Sequence, residues 1–374
     1  MGTFVPAEVF PPGEFIRDEL EARGWSQTDL AEAMERPVQV VSEIIRAKKR
    51  VTEATARELE AALDIEAEFW VRTEALYRLH QTAPVSSSIR QRAEIRRRVP
   101  LRSMQLRGWT LQTTDVDELR ANVLSYLGVS SLQESAPFAM AAKQTVYNEP
   151  LTPVQEVWLL RVKQIAETMV TPRYSRERLI EAVEQMKQML VSAEDTRHVP
   201  KLLAAAGVRF VVVEKLAGLK TDGVCFWVNG NAQPVIGMSL AADRIDNFWF
   251  VVRHEIEHVL NEDGKEGAIL DNDMDGKVTA TSVQERKANA AAAEFCVPQS
   301  ALRGFIDRKG PLFTEQNIQL FAKTQNRHPG LVAGQLRRRL EAWNRYQKHL
   351  EHVRQFVVRT AIVDGFGSKL PATV

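Results

Sequence analysis

Residues 251–260 read VVRHEIEHVL, and this stretch decides how the second half of the chain is read. It contains His254-Glu255-Ile256-Glu257-His258, a complete H-E-x-x-H. On a helix, positions i and i+4 share one face, a single turn apart, so both imidazoles can hold one zinc ion. Glu255 follows the first histidine, where a carboxylate reaches water at the metal's open position. A surface helix with two incidental histidines is the plainer alternative, and the flanks argue against it. Phe248, Trp249, Phe250, Val251 and Val252 precede the motif, and Val259 and Leu260 follow it. Two histidines and two glutamates in so apolar a helix need partners or a metal. The expected cofactor is Zn²⁺, with His254 and His258 as ligands.

A catalytic zinc site needs a third protein ligand and a free fourth position. Asn261 and Gly264 stand where the extended metzincin pattern requires glycine and histidine, so that class is excluded. A glutamate from a following helix is the other common solution. QERKANAAAAEFCVP, 284–298, is an alanine-rich helix ended by Pro298, and it offers Glu285 and Glu294. Asp271, Asp273 and Asp275 lie between the two helices in a segment rich in Gly and Asp that reads as a loop.

RHEIEHVL together with ERKANAAAAEFCVP resembles the ImmA/IrrE family of zinc metallopeptidases. That family carries H-E-x-x-H followed by E-x-x-A-N-x-x-A-x-E-L-L-x-P. Glu285, Ala288, Asn289, Ala292, Glu294 and Pro298 match the second pattern. The resemblance puts the third ligand on Glu285 and leaves Glu294 a supporting role. Ala291 departs from a usual aromatic, and Phe295-Cys296-Val297 from Leu-Leu-Met; these are packing positions. The resemblance spans about 200–340 and implies a narrow-specificity regulatory peptidase that cleaves a repressor or antitoxin.

Composition agrees with a multidomain globular chain. It has 374 residues, 44% hydrophobic and 26% charged, with a net charge of +1. Global charge therefore gives no sign of nucleic acid, and any basic patch must be local. Cys225 and Cys296 sit far apart in apolar settings and read as buried free thiols of a reducing cytosol. The N-terminus has no signal-peptide pattern, and no apolar run approaches the length of a membrane span. A cytoplasmic protein without a membrane partner is expected.

The N-terminal 80 residues read as five short helices. GEFIRDELEARGW ends near Gly24; Ser26 caps a second helix with Leu30, Ala31 and Met34 on one face. Pro37 opens a third with Val41, Ile44 and Ile45 inward, and Thr52 caps a fourth with Ala56, Leu59 and Leu63 inward. EAEFWVRTEALYRL is the fifth. Two short helices joined by a tight break make a helix-turn-helix. GEFIRDELEARGWSQTDLA, VTEATARELEAALDI and EFWVRTEALYRL resemble Xre-type domains, and HigA-type antitoxins more closely, over about residues 6–80. The layout would present Val38, Gln39, Ser42 and Glu43 to the major groove of operator DNA. Gln39 suits adenine and Glu43 suits cytosine N4. Gln27, Arg46, Lys48 and Lys49 are placed for phosphates, although a solvated charge is as good a reading of each lysine. Two half-sites imply a homodimer.

Residues 81–110 read as a basic linker. SSIRQRAEIRRRVPLRSMQLRG holds seven arginines against one glutamate, suited to phosphates or to bracing an acidic face. Residues 111–200 read as a helical connecting region, with Trp158 a core residue. VRFVVVE, GVCFWVNG and PVIGMSL are strand runs, the last two joined by a hairpin-like NGNAQ. They open a zincin-like domain at 201–345, and an edge strand there would pair with an extended peptide. His328, in the loop NRHPG, is a candidate oxyanion stabiliser or a structural histidine. Residues 346–374 read as a tail. The expected fold is mainly α with a small β-sheet, an all-α helix-turn-helix domain joined to a zincin-like domain. The expected function is a DNA-binding transcriptional regulator with zinc-dependent endopeptidase activity on a protein partner. The alternative is a HigA-like antitoxin that represses its own operon and binds a toxin, its zinc domain a sensor or scaffold.

Overall fold

The structure, a computed structural model, describes residues 9–83, 85–140, 142–144, 150–272 and 282–364. It divides into two compact units, Met1–Ile89 and Arg90–Val374. The fold is mainly α with one small sheet.

The first unit is five helices: α1 (Pro12–Arg23), α2 (Gln27–Ala33), α3 (Val38–Ile45), α4 (Glu53–Leu63) and α5 (Ala67–Gln81). Gly24 stops α1 in the left-handed conformation, φ 66°. Ser26 then starts α2 with a capping box: its Oγ accepts from the Asp29 N–H, and the Asp29 carboxylate accepts from the Ser26 N–H. Pro37 is the N-cap of α3 rather than its first helical residue, because its ψ of 137° is extended. The apolar stripes meet as read: Ile16, Leu20, Leu30, Met34, Val41, Ile44, Ile45, Ala56, Leu59, Leu63 and Trp70 form one core. Gly13 lets α1 touch α3, since a Cβ there would stand 2.2 Å from the Ile45 carbonyl oxygen.

The second unit is built on a sheet. Helices α6 (Ser87–Arg98), α7 (Leu101–Leu106), α8 (Val116–Leu127), α9 (Pro137–Met140) and α10 (Pro153–Thr168) come first, with strand β1 (Lys143–Gln144) before α10. Then follow α11 (Arg176–Met186), α12 (Val199–Ala205), β2 (Arg209–Val213), β3 (Thr221–Val228), β4 (Gln233–Met238), α13 (Ile245–Leu260) and β5 (Ile269–Asn272). The chain ends with α14 (Val283–Cys296), α15 (Gln299–Lys309), α16 (Glu315–Thr324), α17 (Pro329–Arg339), α18 (Arg354–Val357) and β6 (Ile362–Asp364). Strand order is β1-β5-β3-β4-β2-β6, with β3 antiparallel to both neighbours and the other pairs parallel.

Both faces of the sheet are covered, so its strands read as continuous apolar runs. Alternate residues serve different layers. Val211, Val213, Val224, Phe226 and Val235 join the core made with α6 to α10. Phe210, Val212, Cys225, Trp227 and Ile236 join the core made with α11 to α18. NGNAQ turns as read, with Asn229, Gly230 and Asn231 at positive φ. Cys225 and Cys296 are buried free thiols.

Several expected boundaries fall differently. The segment read as a linker is largely helical, and Ile95, Val99, Leu101 and Met104 lie in the sheet's core. Its arginines include braces: Arg98 reaches the Glu156 carboxylate, and Arg107 donates to the carbonyls of Glu214 and Lys215. The 111–200 helices are layers over the sheet rather than a connection, with Trp158 fully buried on β2 through an N–H bond to the Val213 carbonyl. Part of the expected tail completes the sheet, since β6 pairs with β2; the last residues, 365–374, lie outside the described residues. The three strands read from sequence are all interior, so neither hairpin strand is the sheet edge expected for peptide pairing.

Candidate metal centre and helix-turn-helix surface

Helix α13 is buried on nearly every side, with Phe248, Trp249, Val251, Val252, Ile256 and Val259 at or below 1% exposure. It presents His254 and His258 one turn apart, and the two Nε2 atoms are 2.9 Å from one another. Helix α14 brings Glu285. Ser282 caps that helix by accepting from the Glu285 N–H, which fixes the glutamate in the first turn. Its alanines let it lie close against α13, with Ala288 and Ala292 fully buried. Glu285 Oε2 is 3.3 Å from His254 Nε2, and its Oε1 is 3.2 Å from His258 Nε2.

A fourth donor comes from β5. Asp271 Oδ2 is 3.2 Å from His254 Nε2 and 3.9 Å from His258 Nε2. His254, His258, Asp271 and Glu285 are all buried, with one donor atom each lying within 4.8 Å of the others. Asp271 was read as part of a loop; it is on a strand and 2% exposed. Asp273 and Asp275 lie outside the described residues. Glu294 is on the exposed side of α14, accepting from the Gln299 N–H, and is not among the donors.

The donor set fits zinc. Four ligand atoms about 2.0–2.1 Å from a tetrahedral zinc ion stand about 3.3 Å apart, close to the separations found here. The chemistry is right for it, two imidazoles and two carboxylates. Charge also asks for a cation. Burial opposes protonation of both imidazoles, yet Asp271 raises His254, and Asp263 and Glu285 raise His258 to about 10. The acidic shell thus favours positive charge at this spot.

Supporting groups surround the donors. His258 Nδ1 is 2.9 Å from Asp263 Oδ2, whose other oxygen accepts from Gln284 Nε2 at 2.8 Å. The Asp263 carbonyl accepts the Trp227 indole N–H at 2.8 Å. His254 Nδ1 has no hydrogen-bond partner among the described residues. Glu255 is fully buried and lies beside Asp271. Burial, then the Asp271 carboxylate, push its carboxyl well above the ordinary carboxylate range. Gly223 on β3 makes room for it, since a Cβ there would lie 2.0 Å from Glu255 Oε1. Asp271 is named in the sequence only as part of a loop, and Asp263 and Gly223 carry no motif there. A glycine inside a strand run is the one signal that was available, as it marks a close approach.

His328 is not brought to these donors. It is the N-cap of α17: Nδ1 accepts from the Gly330 N–H at 3.0 Å, and Nε2 is 3.1 Å from Glu351 Oε2. Burial, against the pull of Glu351, lowers its pKa.

In the first unit, α3 buries Val41, Ile44 and Ile45 and turns Val38, Gln39, Ser42 and Glu43 outward. Gln39 is exposed, with its Nε2 donating to Glu43 Oε1 at 3.3 Å. Arg46, Lys48 and Lys49 are exposed beyond the end of the helix, where Ala47 turns the chain at φ 55°. Gln27 is half-buried at the start of α2.

Residues 16–70 match the helix-turn-helix family model. Among solved structures, the antitoxin GraA is similar at 28% identity, covering 20% of this chain and 83% of that chain, with a TM-score of 0.20. No curated protein matches the chain. The family match over 16–70 makes the N-terminal unit a helix-turn-helix domain. No helix among the described residues is long and apolar enough to cross a membrane.

Proposed function

We propose that this chain is a cytoplasmic DNA-binding regulator whose second unit is a zinc-dependent endopeptidase acting on a regulatory protein partner. The observation that carries the enzymatic part is the buried donor cluster on α13 and α14, with Glu255 beside it. The family match over 16–70 and the outward face of α3 support the DNA-binding part. A homodimer would set two recognition helices on two half-sites of an operator.

His254 and His258 would hold the metal from one side and Glu285 from the other. A zinc ion supplies Lewis acidity, polarising a scissile carbonyl and acidifying water. Asp263 keeps the His258 ring turned with Nε2 toward the donors and Nδ1 toward its own carboxylate. Glu255, freed by Gly223 to reach forward from α13, accepts the proton of the attacking water on a carboxylate oxygen and returns it to the leaving amine. The apolar surroundings exclude bulk water from that transfer.

A second reading has one specific observation in its favour. Four donors rather than three surround the cluster's centre, which suits a sensor or scaffold in an autorepressing antitoxin that neutralises a toxin by binding. The two readings separate on Glu255. Glu255→Gln is expected to keep zinc and abolish cleavage of the partner; a variant that still cleaves would remove Glu255 as the base. Zinc content of the wild type and of Glu285→Ala, measured after dialysis, tests the site itself. No zinc in folded wild-type protein would remove the peptidase reading and leave a DNA-binding antitoxin.

A further inference from the structure

Asp271 is not needed by the peptidase reading, and its position works against that reading. A hydrolytic zinc site keeps one position open, whereas a site with four protein ligands is closed. The Asp271 carboxylate is a fourth donor beside the three that a hydrolytic site would use. Its Oδ2 is as near His254 Nε2, 3.2 Å, as Glu285 Oε2 is at 3.3 Å. Asp271 and Glu285 therefore flank the histidine pair from two different elements.

The placement is built in by the sheet. Strand β5 pairs with β3, with Cys225 opposite Ile269, Val224 opposite Leu270 and Gly223 opposite Asp271. Directly opposed residues of an antiparallel pair point to the same face. Gly223 faces Glu255 on α13, so Asp271 faces the same way. Because its cross-strand neighbour Gly223 has no side chain, α13 comes close there and Glu255 fills the space beside Asp271. The register shifts between Thr221 and Gly223, and that irregularity falls beside the metal cluster. Such breaks re-aim a side chain at functional sites. Glu255, the group that would take a proton from water, is next to Asp271 instead.

We propose that Asp271 is the fourth protein ligand of the metal held by His254, His258 and Glu285, and that the folded chain therefore rests in a closed, hydrolytically silent form. The inference rests on the zinc reading above and deepens it. A scissile carbonyl reaches the metal only after the Asp271 carboxylate has left, so Asp271 acts as an internal competitor for substrate. The position at which it competes is shared by any metal-binding anion.

Cobalt(II) in place of zinc gives a visible absorption band that reports coordination, and acetohydroxamate is a ligand that requires an open position. The full chain is loaded with cobalt as wild type, Asp271→Ala and Asp271→Asn, and each is titrated with acetohydroxamate. The expected result is a wild-type spectrum that hydroxamate moves little. In Asp271→Ala the band weakens, shifts and responds with a midpoint at least tenfold lower, and competition with a chelator shows weaker metal binding. Asp271→Asn, which keeps the shape, falls between the two. A wild-type band that responds at the same midpoint as Asp271→Ala overturns the inference while leaving the zinc site standing. Asp271→Asn, which keeps the shape of the side chain, supplies the comparison if Asp271→Ala does not fold. Folded wild type that takes up neither cobalt nor zinc overturns the underlying zinc reading instead.

Discussion

Asp263 gives the sharpest test of how the metal centre is organised. It touches no metal in the proposed site, yet among the described residues it is the carboxylate that orients a proposed ligand histidine. His258 Nδ1 lies 2.9 Å from Asp263 Oδ2, while His254 Nδ1 has no such partner among the described residues. Among the described residues the orienting work thus falls on a single group. Asp263 is itself fixed, 8% exposed, with Gln284 on its second oxygen and Trp227 on its carbonyl. Loss of a group that orients a metal-bound histidine weakens metal binding about 10–100-fold, or about 1.4–2.8 kcal/mol. Burial and two-sided anchoring place Asp263→Ala toward the upper end of that range. Asp263→Asn retains one acceptor oxygen for the His258 N–H, so its loss is expected near tenfold. Competition for zinc against a chromophoric chelator measures both variants. Urea unfolding in EDTA, run beside it, separates metal affinity from the stability of the metal-free fold. Folded Asp263→Ala that holds zinc as tightly as wild type would refute the reasoning, because His258 would then need no orientation.

Other outcomes follow from single contacts. Gly13→Ala places a Cβ 2.2 Å from the Ile45 carbonyl oxygen, a backbone atom that cannot swing aside, so the first unit is expected to lose about 1–3 kcal/mol in urea unfolding. Gln39→Ala is expected to weaken specific operator binding by about 1–3 kcal/mol with zinc content unchanged, measured by fluorescence anisotropy at fixed salt; unchanged affinity would mean a different recognition face. His328 has a lowered pKa in the fold, so the unfolded chain takes up its proton first as pH falls, and stability is lost below the ordinary histidine pKa. His328→Asn, which still caps α17, is expected to shrink the drop in thermal midpoint between pH 7.5 and pH 5.5; an undiminished drop would place the titration elsewhere.

Much of the fold was legible because its signals are local. Capping residues such as Ser26 and Thr52 bond to backbone three residues away, and the stripes of α1 to α4 follow from helical spacing alone. The strand runs before α13 were legible because both faces are buried and most of their residues are apolar. What was not legible depends on partners distant in sequence. A basic run looks the same whether its arginines meet water or, as Arg107 does, the carbonyls of Glu214 and Lys215. Strand β6 has only three residues, and nothing in Ile362–Asp364 announces that β2 has an open edge to receive it.

The metal centre divides along the same line. His254, Glu255 and His258 are a pattern within one helical turn, so their spacing carries their geometry. Glu285 required a helix on the far side of an intervening loop, and the family resemblance supplied what spacing could not. Asp271 had neither aid. In the sequence it is one of three aspartates in a stretch rich in Asp and Gly, and such composition reads as a turn. What sets it apart is a register: four residues, Ile269–Asn272, pair with β3 so that Asp271 stands opposite Gly223. Pairing register is decided by which side chains the sheet must bury, and Leu270, fully buried beside it, fixes that choice for β5. A one-residue slip would turn Asp271 away from the histidines and bring its neighbours toward them. The closed form of the site is therefore a property of strand pairing, and a change that loosens β5 from β3 is the expected way to open it.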